Sequence, residues 1–146
     1  MTVSWAKCPY LGAVSSTQSP LGPAGGIDAS VDEMARYALL QLDDGTIFGH
    51  RILSTQMMAE LHRPEIDVGV DWRPAARAEN LHYALGWFTA DVRGVHLIYH
   101  NGENPGFRAA VVLAPAAKAG VVVLTNGESK PFIEMTTRSL LEQLLR

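Results

Sequence analysis

Apolar residues Val31, Met34, Ala35, Ala38 and Leu42 recur at the spacing of one helical face, which predicts a helix from Ser30 to Leu42 buried along that side. Ser30 and Glu33 have capping-box spacing, with the Ser hydroxyl accepting from the Glu33 amide while the Glu33 side chain reaches back. Asp43-Asp44-Gly45 ends the helix. Ser54 caps a second, shorter helix through Met57, Met58 and Leu61, which Pro64 stops. The pattern then lapses. From Glu65 to Asn80, Pro74, scattered acidic residues and a cluster of Ala predict a long surface loop.

From His82 the period changes. Tyr83 to Phe88 predicts a strand, Arg93-Gly94 a hairpin turn, and Val95 to Tyr99 the returning strand. Phe107 to Leu113 makes another, Pro115 to Gly120 turns, and Val121 to Thr125 follows without polar alternation. A strand of that texture is covered on both faces. Short connections make these about four strands of an antiparallel meander. Ser129 and Pro131 open a terminal helix lying across the sheet, with Ile133, Thr137, Leu140, Leu141 and Leu144 as its apolar stripe. The fold class is α/β of the α+β type. No internal repeat is present. Residues 1–26, rich in Ser, Pro and Gly, form an irregular lead-in of the kind left when a segment is cut from a larger fold. Residues 27–146 carry the domain.

Composition narrows the function classes. A net charge of −3 gives no basis for nucleic-acid binding. The longest unbroken apolar run, Ala109 to Ala114, is far below a membrane span. The single Cys8 makes no internal disulfide. Met1 to Val14 lacks the apolar middle of a signal peptide, so a complete chain would be cytoplasmic.

The candidate chemistry lies in the polar knot His100-Asn101-Gly102-Glu103-Asn104-Pro105-Gly106, which follows the apolar run Leu97-Ile98-Tyr99. Such a knot at a strand end holds polar groups at a sheet rim, although Asn104-Pro105-Gly106 is also ordinary turn chemistry. No Gly-x-Ser-x-Gly elbow, phosphate loop, cysteine pair or His-Glu-x-x-His occurs. His96 and His100 share a strand face roughly 13 Å apart, too far for one metal ion. His50, His62 and His82 read as surface or loop-edge residues without evident partners. Tyr83, Trp87 and Phe88 read as packing residues.

In chain order stand Gly22-Pro23-Ala24-Gly25-Gly26-Ile27, the Ser30-to-Leu42 helix, Ile52-Leu53-Ser54, Tyr83-Ala84-Leu85-Gly86-Trp87, His100-Asn101-Gly102, Pro105-Gly106-Phe107 and Val121 to Asn126. That series resembles the C-terminal part of the serine β-lactamase-related hydrolases, which include class C β-lactamases, D-alanyl-D-alanine carboxypeptidases and esterases. The resemblance implies acyl transfer to a serine and hydrolysis of the ester, with a small acyl substrate and no cofactor or metal. His100 would supply a positive or hydrogen-bonding group, and Asn101 would face the ligand. Gly102 would let the substrate backbone approach. The amide of Glu103 would be one of two oxyanion donors, each worth about 3 kcal/mol of transition-state stabilisation.

The chain departs from that family's pattern elsewhere. Ser4-Trp5-Ala6-Lys7 spells the nucleophile motif, but Pro9 would break the helix it needs. Tyr99-His100-Asn101 spells the family's Tyr-x-Asn but overlaps the rim motif. Glu103 stands where relatives carry a small residue, and its carboxylate would oppose an anionic substrate unless it points away. The expectation is therefore a hydrolase segment inactive by itself. The other reading is a non-catalytic module that self-associates through an exposed sheet edge.

Overall fold

A computed structural model describes residues 25–68 and 78–144 of the chain. The first helix, α1 (Val31–Leu42), starts as its sequence dictates. Ser30 Oγ accepts from the Glu33 amide at 3.3 Å, and the Ser30 amide donates to the Glu33 carboxylate at 2.7 Å. These bonds to Ser30 hold the Glu33 carboxyl below its ordinary range. The buried stripe is narrower than its period suggests: Ala38 and Gln41 are buried, whereas Val31 and Ala35 are exposed. Only the C-terminal half of α1 meets the sheet, where Ala38 and Leu42 pack beside Ile98, Leu113 and Val122.

A small hairpin that the apolar pattern does not signal follows, β1 (Thr46–Ile47) against β2 (His50–Arg51). Gly45 turns the chain into it at φ +83°, and an added Cβ would lie 2.4 Å from the Leu53 carbonyl oxygen. No other residue fits there. The second helix, α2 (Thr55–His62), is capped by Ser54, whose hydroxyl accepts from the Met57 amide at 3.1 Å. Its Met58 is buried and its Met57 is exposed.

Among the described residues the sheet has six strands where about four are expected, all antiparallel and arranged in space in chain order. They are β3 (Ile66–Asp67), β4 (Ala78–Tyr83), β5 (Phe88–Val92), β6 (Val95–Asn104), β7 (Phe107–Ala114) and β8 (Ala119–Thr125). Two expectations are corrected here. Both ends of the expected Glu65-to-Asn80 loop are strand: Ile66 pairs with Tyr83, and Ala78 pairs with Val92. The middle of that loop lies outside the described residues. The expected strand from Tyr83 to Phe88 is instead broken in its middle: Tyr83 ends β4, Phe88 begins β5, and residues 84–87 connect them. Gly86 at φ +80° reverses the chain, and the Ala84 amide donates to the Trp87 carbonyl at 2.7 Å. Ala84 and Trp87 are apolar because they plug the core on the α1 side, not because they belong to a strand.

The terminal helix, α3 (Lys130–Leu144), packs on the opposite face. Ile133 joins Val121 and Val123, and Leu141 joins the cluster around Leu97, Tyr99 and Val112. Leu140 is exposed, so it does not belong to the stripe. The last strand is covered on both faces as its unbroken apolar texture requires, with Val122 under α1 and Val121 and Val123 under α3. No helix among the described residues is long and apolar enough to cross a membrane.

Candidate functional site

Two turns fix which way every group on β6 points. Arg93-Gly94 joins Val92 to Val95, and Pro105-Gly106 joins Asn104 to Phe107. Both are two-residue connections, so the residues flanking each turn form a hydrogen-bonded pair. Alternation from either end gives the same answer. The main-chain groups of Ile98, His100, Gly102 and Asn104 face β7, and those of Leu97, Tyr99, Asn101 and Glu103 face the β5 side. β5 ends at Phe88, opposite Tyr99. The amides of Asn101 and Glu103 therefore point past the end of β5, along a flank of β6 that is open among the described residues.

Side chains alternate as well. Ile98 packs with α1-side residues and Tyr99 with α3-side residues. The Cβ of His100 and the bare Cα of Gly102 thus share the α1 side, while Asn101 and Glu103 carry their side chains on the α3 side. The Asn101 side chain and the His100 ring start from opposite faces of the sheet. What the two residues share is the flank, where the Asn101 carbonyl accepts from His100 Nδ1 at 2.6 Å.

The His100 ring is half-buried against aromatic neighbours. Phe88 lies 5.5 Å away between centroids and stacks in turn on Tyr99 at 5.4 Å. The Tyr83 hydroxyl is 3.3 Å from His100 Nε2. Because a carbonyl only accepts, Nδ1 carries the proton, and in the neutral ring Nε2 is the acceptor. Tyr83 thus has a polar role that the sequence reading, which placed it among packing residues, missed.

The carboxylate of Glu103 is accounted for. The two-residue turn sets Glu103 opposite Arg108, and the guanidinium grips the carboxylate with two nitrogens, one at 2.7 Å. Arg108 beside it holds the Glu103 carboxyl below the usual carboxylate range. Its charge is paired with Arg108 on the α3 side. Arg108 also donates to the Glu128 carbonyl at 2.7 Å, the Gly106 amide donates to the Glu128 carboxylate at 2.9 Å, and the Asn104 side chain donates to the Gly25 carbonyl at 3.2 Å. The turn at 105–106 is therefore braced from three directions. Arg108 was legible in principle, since its position mirrors Glu103 across Pro105-Gly106.

Gly102 is the most informative residue. Its φ is not in the left-handed region, and an added Cβ would meet only the Ala109 Cβ, at an ordinary 3.5 Å. Packing within the described chain does not require a glycine there.

The other candidates lie elsewhere. His96 is exposed and bonds Asp91 at 2.9 Å. His82 bonds the Asn80 carbonyl at 2.8 Å, and His50 is exposed on the small hairpin. His62 is corrected from a partnerless surface residue: its Nε2 donates to the buried Gln41 at 2.8 Å, and its ring meets Trp87 edge-on. Burial holds that imidazole below its ordinary pKa. Ser4, Lys7 and nearly all of the lead-in lie outside the described residues.

Comparison with known proteins gives the family and the fold. A family model described as Beta-lactamase matches residues 2–144. "Unguisins hydrolase ungD" of Aspergillus violaceofuscus (strain CBS 115571) is 43% identical over 44 residues, 30% of this chain and 8% of that protein. The solved octameric penicillin-binding protein homologue from Pyrococcus abyssi matches with a TM-score of 0.60 at 22% identity, over 79% of this chain and 24% of that one. The chain thus spans a small part of the length of both relatives, and the second likeness is one of fold. With a family match running over nearly its whole length and a mixed fold to go with it, the chain belongs to the beta-lactamase family.

Proposed function

We propose that this chain supplies the rim strand of a serine hydrolase working by acyl transfer. A substrate carbonyl lies along the open flank of β6 and takes a hydrogen bond from the Glu103 amide. Its backbone passes over Gly102, beside the His100 ring. Asn101 takes part through its main-chain groups on the flank, and its carbonyl fixes the ring. The attacking serine is not supplied by this chain, and the isolated chain is inactive. The observation carrying this reading is Gly102, a glycine that internal packing does not require, two residues from His100 on the part of β6 that runs beyond β5.

Two measurements test it. The purified chain should hydrolyse neither nitrocefin nor p-nitrophenyl esters; turnover abolished by Ser4→Ala would show that the chain carries its own nucleophile. Titration with benzylpenicillin, followed by amide NMR, should move His100 to Glu103 and lose that response in Gly102→Val. Equal responses in both proteins would refute the rim assignment.

A second reading has its own observation. The strand β8 is covered by α1 and α3 as an interior strand would be, yet among the described residues it is the last strand of the sheet. Its outward main-chain groups, at Gly120, Val122 and Leu124, can pair with a strand of another chain. The Pyrococcus abyssi protein is itself described as octameric. Leu124→Pro removes an outward amide without breaking the β7–β8 ladder. A dimer by light scattering that becomes monomeric in this variant would favour edge pairing, and a monomeric parent chain would exclude it.

A further inference from the structure

We infer that Tyr83 is the positioning residue of His100, an inference that rests on the rim reading above for its functional meaning. Tyr83 ends β4 and pairs with Phe88, the first residue of β5, which pairs with Tyr99. That register brings the phenol across the end of the sheet to the ring that follows Tyr99. The His100 ring is then held at both nitrogens. Nδ1–H donates to the Asn101 carbonyl at 2.6 Å, and Nε2 receives the Tyr83 hydroxyl at 3.3 Å. Phe88 packs against both rings, 4.6 Å from the Tyr83 ring and 5.5 Å from the His100 ring.

The direction of these bonds has a chemical consequence. A neutral histidine side chain in water prefers its proton on Nε2, whereas a carbonyl at Nδ1 demands it on Nδ1. In the neutral ring the Tyr83 proton therefore points at Nε2, and the phenol oxygen keeps its acceptor capacity for a ligand donor. When the ring is protonated, Nε2–H donates to the phenol oxygen instead. The Tyr83 proton is then released toward the flank, where it can meet a carboxylate or a developing oxyanion. Tyr83 thus reports the charge of His100 to whatever lies on the flank. No bond to carbon is made or broken in this step; only the direction of a hydrogen bond reverses.

The test uses the chain as it stands, labelled with ¹⁵N in histidine, with ring nitrogens read by long-range NMR above the imidazole titration. The expected result is an Nδ1–H tautomer for His100, with the Nε2 resonance displaced from the value of a free acceptor nitrogen by the Tyr83 hydrogen bond. Tyr83→Phe, which keeps the ring against Phe88, should return Nε2 toward the free value and raise the Nε2–H population. A purely packing role for Tyr83 would leave both unchanged. An Nε2–H tautomer in the parent chain, or a Tyr83→Phe spectrum identical at His100, overturns the inference. The amide spectrum away from the rim checks that the variant is folded; should it not be, the parent tautomer alone decides. These readouts need no ligand. A benzylpenicillin titration that leaves the rim unmoved while the nitrogens behave as expected would therefore refute the functional reading and leave the Tyr83–His100 pairing intact.

Discussion

Replacing Gly102 with alanine should stabilise the protein while removing its ligand response. Glycine in a strand interior costs roughly 0.5–1 kcal/mol relative to alanine, because the unfolded chain loses more freedom when it is ordered. That gain is realised only where the new methyl fits. At Gly102 it does: the backbone is outside the left-handed region, and the nearest atom, the Ala109 Cβ, is 3.5 Å from the new carbon. For a domain of this size a change of 1 kcal/mol moves the melting temperature by about 2–4 °C. Thermal unfolding followed by circular dichroism should therefore show a rise of about 1–4 °C. The same substitution elsewhere provides the contrast. At Gly120 an added Cβ would sit 2.9 Å from Leu113 Cδ2, and at Gly45 it would sit 2.4 Å from a backbone oxygen. Both of those alanine variants should melt below the parent chain. On the functional side, Gly102→Ala narrows the space a substrate backbone needs, so the benzylpenicillin shifts at His100 to Glu103 should shrink or vanish. A Gly102→Ala protein that melts lower than the parent would mean that the fold, not a ligand, requires the glycine, and the functional reading would lose its main support.

Other perturbations probe the supports of the site. Burial keeps His62 neutral, with a smaller push from the charge of His96, so its pKa in the folded state lies below the unfolded value of about 6.5. Its contribution to stability is present above that pH and is lost as pH falls, because the unfolded chain takes up the proton first. Urea unfolding should show declining stability from about pH 6.5 downward, and His62→Gln should flatten that slope. Arg108→Ala removes the bond to the Glu128 carbonyl as well as the Glu103 pair, and should cost on the order of 2 kcal/mol in urea unfolding. Glu103→Gln leaves the Glu128 bond in place and should shift the midpoint less than Arg108→Ala does; the reverse order would refute the bracing role of Arg108. Trp87 is 4% exposed and carries Tyr37 and His62 on its faces. Trp87→Ala should cost about 3–5 kcal/mol, and an effect below 1 kcal/mol would show that this side of the core is not closed by the indole.

What could be read from the sequence was what local chemistry decides. Ser30 with Glu33, and Ser54 before Met57, announce helix starts that need no knowledge of the rest of the chain. The unbroken run of Val121 to Leu124 announces a strand between two layers. The strand that carries His100-Asn101-Gly102 is visible because apolar residues lead straight into it, although it runs on to Asn104 rather than stopping at Tyr99. The failures occur where long-range packing overrides the local pattern. Leu85-Gly86-Trp87 is apolar enough for a strand, yet Gly86 turns back and Trp87 is needed under α1. In β4 the register slips between Glu79 and His82, with Asn80 at φ +52°, so no clean alternation marks the strand. The Tyr83–His100 contact depends on two successive strand registers, and no spacing in the sequence carries that information. The open flank was invisible for the same reason: it exists because β6 runs to Asn104 while β5 begins only opposite Tyr99.

That difference in strand length is also why the rim can be ready before any partner segment arrives. The register between β6 and β7 is unbroken from Ile98–Leu113 to Asn104–Phe107, so the overhanging part of β6 is held along its whole inner edge. Its far end is tied by Glu128, Arg108 and Gly25. Its near end is packed by Phe88 and Tyr99, with Tyr83 at the ring. Every one of those supports comes from within residues 25–68 and 78–144. Donors fixed in advance cost no reorganisation when charge develops in front of them, which is the condition for an oxyanion site. The proposal therefore requires the isolated chain to hold the Glu103 amide and the His100 ring in the same geometry with or without ligand. Ring-nitrogen and amide shifts recorded in both states should place the changes on the flank and leave the β6–β7 ladder unmoved. A ladder that rearranges on ligand addition would mean that the rim is assembled by its substrate rather than by its strands.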